Sequence, residues 1–427
     1  MVYIILLSSI SYLLFNWKNI VSPLILILIF LNSDYLDVKV NIIVIISLII
    51  LNFLRESEIQ NLILYFIFIF SSLWLINSTH LVSIWLSLEC QSFSLILILF
   101  YDNKNKIENI EAILKYFFVS AISSIVLLLG VYNVLLSSDT LILSFINVWE
   151  SSNYFLLLII FPFILKLALT PFHIWAPEIY QGLSIAGIAC LSVIPKLSLF
   201  IVIVNISLFN NILFLISIFS IIVAAIGGLN QINLKTLIAY SGIGHLGFVF
   251  LAFSLNSTFF VSLSFMYLLV YLFSSLGVLL ILFYKTNSNL IIQWSNFFYY
   301  NRFISVIMLT FILSWLGFPP LSGFLVKWSV IVNLFKENNM IFIIILTVLS
   351  VMISSFYYLR LFKVNISETK NFYLAWENIG FVDYNFIKIN SFLVINWLLT
   401  LLIIINPNPL FYFSQTFIND FMKFFFS

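Results

Sequence analysis

A chain of 427 residues that is 63% hydrophobic and 8% charged, with a mean hydropathy of +1.18 and a net charge of +2, is not built for water. Soluble domains carry roughly 25% charged residues, so the solvent of most of this chain is lipid. The near-zero net charge gives no case for nucleic-acid binding. The two cysteines, Cys90 and Cys190, lie in separate apolar runs, which excludes a zinc ribbon or a secreted disulfide framework and reads as two lipid-buried structural thiols.

The chain opens on MVYIILLSSISYLLF, without a basic leader or a small-residue cleavage motif, and this reads as a first span rather than a removable presequence. Heavy use of Phe (48) and Tyr (20), with Ile and Asn, fits an AT-rich organelle gene, whose hydrophobic product needs no import signal. A span takes about 20 residues, roughly 17–25. Apolar runs then predict an all-α membrane protein of fourteen spans, near 2–15, 20–31, 40–54, 59–77, 80–101, 112–137, 154–180, 185–205, 210–229, 236–254, 259–284, 303–336, 339–363 and 391–406. The first three are short.

Cationic loops face the cytoplasm-like side of a membrane. The odd-numbered loops hold Lys18, Arg55, Lys104, Lys106, Lys115, Lys235, Lys285, Arg302, Arg360, Lys363, Lys370 and Lys388; the even-numbered loops and tail hold only Lys39, Lys336 and Lys423. With the organelle origin that the composition suggests, this asymmetry predicts both termini on the outer, intermembrane side and the odd loops in the matrix. The polar stretch from Lys363 to Asn390 is the longest matrix loop and is expected to touch neighbouring protein. The aromatic tail Pro407 to Ser427, with Asp420 and Lys423, is expected to lie along the membrane surface.

Four charges remain inside apolar runs: Glu89, Lys166, Lys196 and Lys327. Each costs about 2.5–3.5 kcal/mol at mid-bilayer on insertion scales, so such groups mark ion or proton routes unless they are locked in static pairs that fix helix register. Lysine suits the first role, because a low-dielectric site makes an ammonium release its proton more readily. A carboxylate such as Glu89 would hold that proton, and separating the two would release it.

Two of these spans are broken. Lys166 precedes Thr170 and Pro171 in KLALTPFHIWAP, and Lys327 follows Gly317, Pro319, Pro320 and Gly323 in GFPPLSGFLVKW. Proline removes a helical hydrogen bond, and irregular backbone in a membrane belongs beside a protein-lined or wet cavity. Spans four to eight and nine to thirteen form two sets of five. Five is odd, so the sets enter from opposite faces, and Lys166 and Lys327 each lie in the fourth span of a set, as inverted repeats require. The expected organisation is three spans in 1–58, repeats in 59–209 and 210–365, and loop, last span and tail in 366–427. His245, in AYSGIGHLGF, occupies the second span of its set as Glu89 does, and serves either as a relay or as a packing residue bonded to a carbonyl. His173 reads as structural or as part of an entrance; His80, at a membrane edge, reads as incidental.

The segments KLALTPFHIWAPEIYQGLS, SVIPKLSLF, LKTLIAYSGIGHLGFV and GFPPLSGFLVKW, with LKYFFVSAISS at 114–124, together resemble the antiporter-like subunits, and among them the subunit 2 group, of proton-pumping NADH:ubiquinone oxidoreductase (respiratory complex I). The likeness spans roughly residues 80 to 365, and the wider family includes cation/proton antiporters. The resemblance implies proton translocation driven by ubiquinone reduction elsewhere in the complex. Glu89 would be the acid of the fifth helix, paired with Lys166 on the broken seventh, and Lys196 the central lysine of the eighth. His245 would be the histidine of the tenth helix, and Lys327 the residue of the broken twelfth that passes protons outward. Partners would be the other complex I subunits, above all neighbouring antiporter-like and small membrane-arm subunits, together with lipids. One departure concerns Gln181-Gly182-Leu183-Ser184, which lacks the family's proline and leaves the start of the eighth helix less defined.

This chain has no glycine-rich dinucleotide turn, and two separated cysteines cannot ligate a four-cysteine cluster. Neither a cofactor nor a metal is expected here, and the resemblance implies that FMN, iron–sulfur clusters, NADH and ubiquinone belong to other subunits. Two alternatives stay open: an Mrp-type sodium/proton antiporter, and a structural membrane subunit whose charges are locked in ion pairs.

Overall fold

The computed structural model describes residues 59–102, 107–138, 141, 153–206, 211–255, 258–284, 290–291, 302–336 and 340–366, with helical positions 393–394, 396–398, 400–401 and 415. The first three predicted spans, the polar loop and nearly all of the tail lie outside the described residues. Among the described residues are twelve helices and no strand: α1 (Ile59–Asn77), α2 (Leu81–Asp102), α3 (Ile107–Ser138), α4 (Asn153–Lys166), α5 (Trp175–Gly182), α6 (Ile185–Asn205), α7 (Asn211–Leu229), α8 (Leu234–Phe253), α9 (Thr258–Tyr284), α10 (Arg302–Leu316), α11 (Ser322–Lys336) and α12 (Ile341–Ile366). Seven of these, α2, α3, α6, α7, α8, α9 and α12, are long and apolar enough to cross a membrane. Each run predicted between 59 and 363 coincides with a helix or with a broken pair. One boundary shifts: α3 starts at Ile107 rather than 112 and so carries Glu108 and Glu111 on an added turn.

Helices are the natural element here, because backbone groups in lipid must be satisfied within the segment. Hydroxyls obey the same demand. Ser71, Ser87 and Ser220 donate to the carbonyls of Phe68, Ile84 and Ser217, three residues back, at 2.8, 2.9 and 2.7 Å. Helices α6, α8 and α9 form the centre and are almost wholly buried, whereas α3 and α12 are peripheral. The outer faces of α3 (Phe118, Ile125, Leu129) and α12 (Phe342, Met352, Phe356) are apolar surfaces that only lipid or another apolar surface can cover. Small residues bring α7 and α8 together, with Gly247 set against Ser220 and the Ser217 carbonyl.

Loop contacts sort by parity. Lys115, near the start of α3, pairs with Glu178 of α5 at 2.7 Å. Lys235 donates to the Leu183 carbonyl at 2.6 Å, the Ile291 N–H donates to Ile232 at 3.1 Å, and Arg360 donates to Leu229 at 3.2 Å and to Gln231. These contacts join the loops predicted to share the cationic face. On the opposite face the Leu81 N–H donates to Leu141 at 3.0 Å, joining two even-numbered loops.

Both breaks end in the same backbone device. At the end of α4, Leu169 N–H reaches Ile164 and Ala168 N–H reaches Leu165, both at 3.1 Å, with Ala168 left-handed at φ 57°. At the end of α10, Phe318 N–H reaches Leu313 and Gly317 N–H reaches Ser314, both at 3.1 Å, with Gly317 at φ 87°. These are the paired bonds of a Schellman motif, which satisfies end carbonyls through one left-handed residue. Glycine adopts that conformation freely, whereas alanine pays steric strain. Ala168→Gly is therefore expected to assemble as well as the native chain. Ala168→Val, with a branched Cβ at positive φ, is expected to lose about 1–3 kcal/mol, read as a lower yield of assembled protein in the membrane.

The missing proline before α6 has a visible replacement. Ser184 caps the helix, its hydroxyl accepting from Gly187 N–H at 3.0 Å.

Candidate functional site

The intramembrane lysines and His245, but not Glu89, line the middle of the bundle. Lys196, His245 and Lys327 are 8, 7 and 6% exposed, deep enough that each needs a polar neighbour. Glu89, on α2, is only half-buried and lies toward the surface of the bundle, next to the outward-facing Cys90. Its carboxylate is within electrostatic reach of Lys166 and Tyr116. The expected Glu89–Lys166 contact stops short of a direct ion pair. Lys166 turns inward, its ammonium 3.5 Å from the Leu88 carbonyl, and the salt bridges found among the described residues are those of Lys115 with Glu111 and Glu178.

Lys166 and Lys196 share one cavity, with Gln91, Tyr116, Tyr180 and Pro195 among its walls. The space open to the centre of a water molecule is about 20 Å³, and a water needs roughly 10–15 Å³ and two to four polar partners. Pro195 contributes to the polarity of this wall. It carries no N–H, so the carbonyl of Leu191, four residues earlier and also on the cavity, loses its helical donor. Gln91 crosses from α2 to α6, donating to Ser198 at 3.2 Å.

Beyond Lys196 the line continues through hydroxyls. Lys196 Nζ donates to Tyr271 Oη at 3.5 Å. His245 Nδ1 lies 3.0 Å from the Tyr267 hydroxyl, and His245 Nε2 lies 3.5 Å from that of Tyr358. A second cavity, about 10 Å³, is walled by His245, Tyr267, Tyr271, Ser274 and Ser314. A third, about 20 Å³, joins His245 to Lys327 with Ser241, Ser350, Tyr357 and Tyr358 on its walls.

Lys327 closes the second break. It extends from α11 to donate to the Trp315 carbonyl at 2.5 Å and to the Leu316 carbonyl at 3.3 Å, the negative end of α10. At the first break that task falls to Trp175 of α5, whose indole donates to the Leu165 carbonyl at 3.0 Å. The two breaks thus exchange residue types. Lys166 ends the first half-helix and a tryptophan braces it; Trp315 occupies the position matching Lys166 and a lysine braces it. Lys166 and Lys327 correspond by element, each flanking its break from the opposite side.

His173 lies in the first break, a ring nitrogen 3.3 Å from the Pro171 carbonyl, away from the line. His80 is exposed at the start of α2, where its carbonyl accepts from Ser83. Cys190 is buried in α6, apart from Cys90, with no disulfide between them. No group of three or more His, Cys, Asp or Glu side chains gathers in metal-binding fashion among the described residues. The residues that the lysine pattern did not reveal are the tyrosines, Tyr116, Tyr180, Tyr267, Tyr271 and Tyr358. One signal for them was present: Tyr267, Tyr271 and Ser274 fall at helical spacing on one face of α9, whose other residues are apolar or small hydroxyls apart from the terminal Tyr284.

An all-helical membrane bundle with two broken spans and buried lysines on a hydroxylated line defines a class of ion-translocating subunit. The chain belongs to the family described as NADH:quinone oxidoreductase/Mrp antiporter, transmembrane, which it matches over residues 78–354. Within that family it is 32% identical over 325 residues to NADH-ubiquinone oxidoreductase chain 2 of Sylvisorex johnstoni, covering 73% of this chain and 90% of the relative. It is 30% identical over 369 residues to NADH-quinone oxidoreductase subunit N 2 of Thermodesulfovibrio yellowstonii, covering 84% of this chain and 79% of the relative. The fold is shared with a chain of respiratory complex I from Thermus thermophilus (TM-score 0.77, 21% identity, 88% of this chain and 84% of that one). It is shared equally with a chain of the Mrp complex from Dietzia sp. DQ12-45-1b (TM-score 0.78, 14% identity, 89% and 83%).

Proposed function

We propose that this chain is a proton-translocating membrane-arm subunit of complex I, in which Glu89, Lys166, Lys196, His245 and Lys327 pass protons through the middle of the bundle as quinone is reduced in partner subunits. The observation that carries this reading is continuity. From Lys166 to Lys327 every interval is bridged by a cavity or a hydroxyl. Intramembrane chains of titratable groups of this kind are proton relays. The reading as a structural subunit with locked pairs is weakened by the same geometry, since no close ion pair holds Glu89, Lys166, Lys196 or Lys327 among the described residues.

The finer architecture follows the same reading. Neighbour relations among α1–α6 recur among α7–α12: α1–α2 as α7–α8, α2–α3 as α8–α9, α3–α4 as α9–α10, α3–α5 as α9–α11, and α1–α6 as α7–α12. This recurrence supports two inverted repeats, 59–209 and 210–365, in a fourteen-span chain. The cationic loops face the matrix side of an inner membrane, both termini lie opposite, and the flavin, iron–sulfur and quinone chemistry resides in partner subunits. The Mrp-type reading shares the fold, but the two relatives named above, at 32 and 30% identity, are NADH oxidoreductase subunits.

Isolation of the native assembly by this chain is expected to recover flavin and iron–sulfur subunits; recovery with antiporter subunits alone would favour the Mrp reading. In the intact complex, Glu89→Gln is expected to slow coupled turnover severalfold with assembly retained. A native rate and proton-to-electron ratio in that variant would remove Glu89 from the route.

A further inference from the structure

Between Lys196 on α6 and His245 on α8 the route has an interval that none of the charged residues spans, and Tyr271 of α9 fills it. Its hydroxyl lies 3.5 Å from Lys196 Nζ. Its ring stacks on the His245 imidazole with centroids 4.9 Å apart and planes inclined by 26°. The lysine approach is made possible by Gly242: a Cβ there would come within 2.8 Å of Tyr271 Oη and 3.0 Å of Lys196 Nζ. On its other side Tyr271 lines the small cavity that also contains His245, Tyr267 and Ser274. Tyr267, one turn earlier on the same face, already contacts His245 Nδ1 at 3.0 Å. The hydroxyl therefore stands between a proton donor and a small, mainly apolar space that also holds the imidazole and the Tyr267 hydroxyl. Packing alone would need only the ring.

We propose that the Tyr271 hydroxyl is the proton relay between Lys196 and His245. The Lys196 ammonium gives a proton to an Oη lone pair as the original Oη–H bond breaks toward the cavity. That proton reaches His245 through the Tyr267 hydroxyl or through a water molecule in the cavity. Tyr271 is neutral before and after the transfer, Lys196 is left as the amine, and His245 gains one proton. Rotation of the phenolic O–H resets the relay. Gly242 is a positioning residue, acting through the closeness of the two side-chain tips. This assignment rests on the reading of Lys196 as a carrier of translocated protons.

The test uses the intact complex in sealed membrane vesicles, with Tyr271→Phe, Gly242→Ala and Lys196→Met compared with the native chain. The readouts are NADH-driven proton translocation per assembled complex, the amount assembled, and the rate ratio in H2O and D2O. Tyr271→Phe keeps the ring and its stacking and removes one oxygen. It is expected to lower translocation about a hundredfold, the low end of the range for a lost proton-transfer group, and to raise the solvent isotope effect. Gly242→Ala retains both reacting side chains, drives their tips apart and is expected to show the same change in milder form. A native rate and isotope effect in Tyr271→Phe overturns the relay, as does a loss confined to the amount assembled. Native translocation in Lys196→Met overturns the route itself, which separates failure of the relay from failure of the broader reading.

Discussion

Lys196→Met is expected to lower proton translocation by about two orders of magnitude with the complex still assembled. Methionine matches the length of the lysine stem, and Lys196 is buried among apolar side chains of α6, with Tyr271 as its side-chain hydrogen-bond partner. Replacing a buried charge by an apolar group of similar size is commonly neutral or stabilising, so the packing of α6 has no reason to fail. The route, however, loses its central carrier, because the cavity from Lys166 ends at this ammonium and the hydroxyls toward His245 begin there. A fall of about a hundredfold is expected, in line with removal of a positioned proton-transfer group. NADH-driven acidification measured per assembled complex checks it, and pumping at the native rate would exclude Lys196 from the path.

At Lys327 two effects should separate. Lys327→Met removes the proposed proton carrier and also the donor to the Trp315 and Leu316 carbonyls at the end of α10. A buried carbonyl left without a partner costs about 1–3 kcal/mol, so this variant should lose both assembled complex and pumping. Lys327→Arg keeps a donor for those carbonyls, but a guanidinium does not release its proton in proteins. The arginine variant should therefore recover assembly and remain defective in translocation. Full recovery of pumping with arginine would reduce Lys327 to a helix brace. Blue-native electrophoresis paired with vesicle acidification distinguishes the outcomes.

Much of this was legible in the sequence because lipid imposes blunt rules. Each span between 59 and 363 had to be an apolar run, and the lysines stood out as charges inside such runs. The breaks were marked by Pro171 and by Pro319 and Pro320, and Gly317 announced its own turn. Ala168 announced nothing, because no property of alanine in a sequence signals a left-handed backbone. The same limit hid the exchange between Lys166 with Trp175 and Trp315 with Lys327, since the bracing donors come from the far side of each break. The tyrosines were masked by abundance: among 20 of them, nothing but the spacing of Tyr267, Tyr271 and Ser274 on α9 set a few apart. The close Glu89–Lys166 pair implied by resemblance does not form, because Glu89 sits at the bundle surface and Lys166 turns toward the inner cavity.

The exchange of bracing residues gives the two knees of this protein different mechanical characters. An indole N–H carries one charge state at every physiological pH, so the clasp that Trp175 makes on Leu165 has constant strength. The clasp on Trp315 and Leu316 is made by an amine, and a charge-assisted bond is roughly twice as strong as a neutral one. On the proposed route the second knee would stiffen when Lys327 is loaded and slacken when it is emptied. One bend would then be rigid and the other responsive to proton occupancy.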